Sequence, residues 1–156
     1  MYQKILVPLD CSEAAEAVLP HIKALAKCGA LGEVVLLSVV EGLAQMHTSG
    51  VPDAWVAESA DIKKFSQTLV TRAKDYLTRV QSELAREGIK AKVEAVEGKA
   101  AQTIIDEAKE NNCDLIVIAS RGSSGLKQII LGSVALRVLH DSPIPVLLVR
   151  LESSRG

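Results

Sequence analysis

Aromatic side chains are nearly absent from this chain: Phe, Tyr and Trp make up 3% of 156 residues, with Trp55 the only tryptophan. So few rings disfavour a flavin site, which needs aromatic faces to stack on. Cysteine is equally sparse. Cys11, Cys28 and Cys113 stand far apart and are odd in number, which argues against a disulfide framework and gives no metal-ligand spacing. They read as reduced thiols of a cytosolic protein. The three histidines, His21, His47 and His140, are scattered as well, and no metal cluster is expected. There is no basic excess. The net charge is −1, which offers nothing to a nucleic acid. Long apolar runs are missing too. The opening MYQKILVPLD is too short for a signal segment or a membrane span, so the expected location is the cytoplasm, with no membrane partner. Neither G-x-x-x-x-G-K-[ST] nor G-x-G-x-x-G occurs, which excludes a Walker loop and weighs against a dinucleotide site.

What is present is a dense aliphatic content. Hydrophobic residues make up 48% of the chain, and disorder is excluded at that level. The length suits one domain with a sizeable core. Short Val/Ile/Leu runs alternate with segments of helical period. Strands are expected at residues 4–9, 33–40, 89–97, 114–119 and 145–150, and helices at 12–30, 60–86, 100–112 and 132–141. Ser12 is the expected cap of the first helix, Pro20 its bend, and Gly29 and Gly32 its end. The long helix shows Ile62, Phe65, Leu69, Ala73, Leu77, Val80 and Leu84 on one face. The third strand alternates polar and apolar residues and is expected at an edge. Residues 41–59 read as a surface loop, in which Trp55 either covers a site or simply pins the loop. The alternation implies a single-domain open five-stranded parallel sheet with helices on both faces.

Such sheets bind ligands beyond the carboxyl ends of their strands, where the strand order reverses. Four stretches collect there: Pro8-Leu9-Asp10, Val39-Val40, Glu97-Gly98 and Ala119-Ser120-Arg121-Gly122. The last continues through Ser123, Ser124 and Gly125 to Gly132-Ser133, where a helix begins. A helix start presents free N–H groups and a positive dipole end. Gly122 and Gly132 allow close backbone approach, the serines add hydroxyls, and Arg121 and Lys127 add charge. Two readings fit these residues: a phosphate site, or a Gly/Ser loop whose serines cap the helix. Cys11, beside a helix start, is a candidate for a lowered pKa and a redox role, or else a small packed residue. Asp10 lacks a base, nucleophile or metal partner and reads as a ligand contact or helix cap.

ILVPLDCSE, DLIVIASRGSSGLKQIILGSVALRVL and the closing SPIPVLLVR together resemble the universal stress protein family over residues 1–150, with 151–156 as a tail. The family's nucleotide-binding branch carries G-x2-G-x9-G-[ST]; Gly122, nine intervening residues and Gly132-Ser133 match it. Ala119 replaces the first glycine, and Ser123 stands where Arg or Lys is common. The resemblance implies a Rossmann-like, adenine nucleotide alpha hydrolase-like fold. It implies that Pro8, Leu9 and Asp10 lie beside base and ribose, with Val39 against the adenine. Ala119, Ser120, Arg121, Gly122, Ser123, Ser124 and Gly125, with Gly132, Ser133 and Val134, would then hold the phosphates of ATP, AMP or ADP, with Mg²⁺ on those phosphates.

The function expected from the resemblance is an adenine-nucleotide-binding regulatory module of the stress response, acting on a protein partner that the sequence does not name. A nucleotide-free interaction module and a slow ATPase are the alternatives. An enzyme is not expected, since no base or Arg/Lys clamp stands in the motif stretches. The apolar strand Pro145 to Arg150 is expected at a sheet edge, pairing with its copy in a homodimer.

Overall fold

The structure, a computed structural model, describes residues 1–42, 60–120 and 131–151. Five strands, β1 (Tyr2–Pro8), β2 (Leu31–Val40), β3 (Lys90–Glu97), β4 (Leu115–Ala119) and β5 (Val146–Val149), form one sheet in the order β3-β2-β1-β4-β5. Every pairing is parallel. The helices are α1 (Leu19–Lys27), α2 (Ala60–Arg86), α3 (Ala100–Glu110) and α4 (Ser133–Asp141), with a 3-10 turn at Ala15–Val18. The chain lays down β1, β2 and β3 in one direction, then returns to place β4 on the other side of β1. The strand order therefore reverses between β1 and β4. As expected, β3 and β5 are the edges.

Parallel strands buried on both faces need runs of apolar residues, and residues 5–7 of β1 and 34–37 of β2 supply them. On the α1/α2 side, Ile5, Val7, Val34 and Leu36 pack with Ile22, Leu77, Val80 and Leu84. On the α3/α4 side, Leu6, Val35 and Leu37 pack with Ile104, Ala108, Ala135 and Val138. Leu77 and Leu84 are fully buried, each contributing about 1.5–3 kcal/mol of apolar transfer. Asp114 locks β1 to β4: its carboxylate accepts the Gln3 N–H at 2.7 Å and the Lys4 N–H at 3.1 Å.

Three expectations are corrected. The first helix does not run from Ser12. Asp10 accepts the Ser12 N–H at 3.0 Å, and Cys11 takes a positive φ of 65°, so the chain makes a local turn before the 3-10 segment. Pro20 consequently sits in the first turn of α1 and bends nothing, because N–H groups there have no intrahelical acceptor to lose. Second, Gly29 alone ends α1, with φ 65°, while Gly32 lies inside β2. Third, the buried face of α2 turns near its start: Ser66 is buried and Phe65 is 49% exposed, because Ser66 donates its hydroxyl to Glu97 at the end of β3.

At Gly32 the two strands leave no room for a side chain: a Cβ there would lie 2.3 Å from the Gln3 carbonyl oxygen. Gly32→Ala must push the strands apart and is expected to lower stability by about 1–3 kcal/mol, read from the midpoint of urea denaturation.

Candidate nucleotide site

At the reversal between β1 and β4 the strands end and the chain leaves them in opposite directions, opening a cavity of about 380 Å³. That is within the size range of small-ligand pockets. Its wall includes Pro8, Leu9 and Asp10 at the end of β1, Val39 on β2, Ala119 on β4, and Gly132, Ser133 and Val134 at the start of α4. Eight of the residues expected at a ligand site are thus brought together from four separate segments. Arg121, Gly122, Ser123, Ser124, Gly125 and Lys127 lie outside the described residues, as do Trp55 and His47.

Ser120 is placed elsewhere. It is 4% exposed, its N–H donates to the Val149 carbonyl at 2.8 Å, and its Oγ accepts the Leu151 N–H at 3.2 Å. It ties the ends of β4 and β5 together and is not part of the cavity wall. Ala119 is the last residue of β4, paired with Val149, and is not among the residues of positive φ. The position does not require a glycine backbone, and alanine is unstrained there.

The cavity also has walls that composition and spacing do not single out. Leu37 and Ile118 floor it, Ser12, Ala14 and Ala15 flank it, and Glu41, Ala100 and Ile104 close the side toward β2 and α3. Two signals could have found these. Leu37, Val39 and Glu41 alternate along one strand direction, so they share a side of the sheet. Ala100 and Ile104 lie one helical turn apart.

The turn after β1 is held by its own polar groups. Asp10 Oδ1 accepts both the N–H of Ser12 at 3.0 Å and its hydroxyl at 2.5 Å, while Ser12 Oγ accepts the Ala15 N–H at 3.2 Å. Asp10 is therefore fixed as an acceptor at the cavity rim. On the opposite face of the sheet, Tyr76 donates its hydroxyl to Glu16 at 2.9 Å, and the Arg79 guanidinium lies over the Tyr76 ring at 5.3 Å from its centre. These contacts dock the 3-10 turn on α2. Burial first, then the neighbouring Glu16, pushes the Tyr76 hydroxyl well above its ordinary pKa. Cys11 does not have a lowered pKa. Desolvation pushes its thiol up, the opposite of the shift expected beside a helix start. Burial likewise pushes Cys113 up to about 11.

Two helix starts meet the cavity, and they differ in charge. Glu41 accepts the Ala100 N–H of α3 at 3.3 Å. The start of α4 has Gly132 as its N-cap and no side-chain cap among the described residues. Both ends carry the partial positive charge of a helix dipole. At α3 a carboxylate already answers it; at α4 no described side chain does. Among the described residues no group of three His, Cys, Asp or Glu is gathered to hold a metal.

The model of the universal stress protein family matches residues 1–150. The chain is 32% identical over 160 residues to universal stress protein MJ0577 of Methanocaldococcus jannaschii, covering 99% of this chain and 98% of that one. A solved structure of MJ0577 superposes with a TM-score of 0.81 over 99% of each chain, at 33% identity. Universal stress protein YxiE of Bacillus subtilis is 34% identical over 157 residues, covering 96% of this chain and all of that one. A universal stress protein solved in complex with cAMP shares the fold, with a TM-score of 0.56 over 96% of this chain and 97% of that one, at 20% identity.

Proposed function

This chain belongs to the universal stress protein family, and from that premise we propose that it is a regulatory module that binds an adenine nucleotide in the cavity between β1 and β4. The observation that carries the reading is the cavity itself: an apolar floor at the strand reversal, with the start of α4 exposed to it and no described side chain capping that helix. Phosphate oxygens fit the free N–H groups and dipole of α4. The base fits the apolar side made by Leu37, Val39 and Ile104, and the ribose hydroxyls fit Asp10.

The residues of the wall suit binding better than turnover. Asp10 is the one carboxylate beside the first strand end, and it is engaged by Ser12. General-base work needs a group aimed at an attacking water, and the two carboxylates of the described wall, Asp10 and Glu41, are held by Ser12 and by the Ala100 N–H. Mg²⁺ would come with the phosphates: with no ligand triad among the described residues, the protein would add single oxygens such as that of Ser133.

The second part of the reading is a homodimer. β5 is an edge strand with Leu147 39% exposed, and α4 exposes Leu136 at 56% and Leu139 at 37%. Antiparallel pairing of β5 with its copy across a two-fold axis would satisfy both edges in one closed contact. No helix among the described residues is long and apolar enough to cross a membrane. The three cysteines are free, which favours a cytoplasmic setting.

Calorimetry with ATP, ADP and AMP, with and without Mg²⁺, tests the binding. Saturable heat is expected, and Gly132→Val should weaken binding at least tenfold by blocking backbone approach. In the same samples ATP should stay intact over minutes. Absence of heat and of thermal stabilisation at millimolar nucleotide would favour the nucleotide-free interaction module, and rapid turnover abolished by one site substitution would favour the enzyme. For the dimer, Leu148→Pro removes a ladder donor and should give a monomer by sedimentation at tens of micromolar. A monomer before substitution, or a dimer that survives it, would reject the β5 contact.

A further inference from the structure

Glu41 stands just beyond β2 and forms part of the cavity wall on the side of α3. It is exposed, yet its backbone is fixed from several directions. The Val40 carbonyl accepts the Gly98 N–H at 3.1 Å. Gly42 is buried so closely that a Cβ there would lie 3.3 Å from Ser66 Oγ and 3.5 Å from Glu97 Oε2. Ser66 in turn donates its hydroxyl to Glu97 at 2.5 Å. One carboxylate oxygen of Glu41 takes the Ala100 N–H at 3.3 Å. A carboxylate is an acceptor only, with about four lone-pair sites on two oxygens, and the one contact it makes among the described residues occupies one of them.

This placement has two effects on a ligand. At α3 the carboxylate supplies the negative charge that the helix end favours, so a phosphate there would meet like charge. Phosphates are directed to α4, and the base is left toward β2 and α3. There the described wall presents apolar carbon from Leu37, Val39 and Ile104 and the carboxylate of Glu41. Resting on the nucleotide reading above, we infer that Glu41 is a specificity-determining residue that accepts a hydrogen bond from the exocyclic amino group of adenine. A hydrogen bond to a charged group is worth more than a neutral one, and a purine without that amino group leaves the carboxylate unmatched.

The test is a cycle of two ligands and three proteins, measured by calorimetry: ATP against the triphosphate of 6-unsubstituted purine riboside, each with the unmodified chain, Glu41→Gln and Glu41→Ala. The unmodified chain should bind ATP about tenfold tighter than the amino-deleted analogue. In Glu41→Ala the ratio should fall to within about twofold, and in Glu41→Gln it should lie between. Thermal unfolding of the variants establishes that they are folded, and Glu41→Gln keeps the side-chain shape should the alanine variant fail. Equal affinity for the two ligands in the unmodified chain, or a preference for ATP that survives both substitutions, overturns the assignment alone. GTP bound as tightly as ATP also overturns it, since the carboxylate would then be pairing with the N–H edge of a different base. If no nucleotide binds the unmodified chain at all, the nucleotide reading fails and takes this assignment with it.

Discussion

Strand β1 carries ladder hydrogen bonds on both flanks, to β2 from Tyr2 to Pro8 and to β4 at Ile5 and Leu6. That double pairing sets where the chain can bind anything. The crossover through α1 takes the chain from β1 to one neighbour, and α3 brings it back to the other. Because the connections leave β1 and β4 on opposite faces, the sheet cannot be covered where the two strand ends meet. The Asp114 carboxylate, bonded to two successive β1 amides, fixes this pairing at its start. The cavity lies at its other end.

The electrostatics of the cavity follow from the same topology. α3 and α4 both lie on the face that packs Leu6, Val35 and Ile116, and both start at the carboxyl edge of the sheet, so their positive ends converge on one space. Two equivalent ends would attract an anion in two places and give no direction. Glu41 breaks the equivalence by occupying the α3 end. A ligand that is anionic at one end and apolar at the other has one favourable orientation.

Much of this was legible in the chain because it depends on local chemistry. Val/Ile/Leu runs named the strands, the polar alternation of β3 named an edge, and the glycine and serine at 132–133 named a helix start. The features missed are those fixed by a distant partner. Ser66 is buried and Phe65 exposed because Glu97, 31 residues on, claims the Ser66 hydroxyl. Ser120 looks like a phosphate ligand beside Ala119, but the amide of Leu151 takes its oxygen. Cys11 looks activated by a helix start, but the turn built by Asp10 and Ser12 delays the helix, and partial burial raises the thiol's pKa. Glu41 reads as the first polar residue of a loop until α3 brings Ala100 against it. By contrast, Ala119, which looked strained in the sequence as a replacement for glycine, sits without backbone strain in a strand that pairs normally with Val149.

Backbone amide shifts in a two-dimensional ¹H–¹⁵N spectrum during titration with ATP and Mg²⁺ test the central claim most directly, because they report both the place and the direction of binding. The account predicts the largest shifts at Ser133 and Val134 of α4, with further shifts at Asp10, Val39 and Ala119 and small ones in the body of α3. Large shifts gathered at the opposite edge of the sheet, around Lys23 and Gly88, with Ser133 and Val134 unmoved, would contradict it.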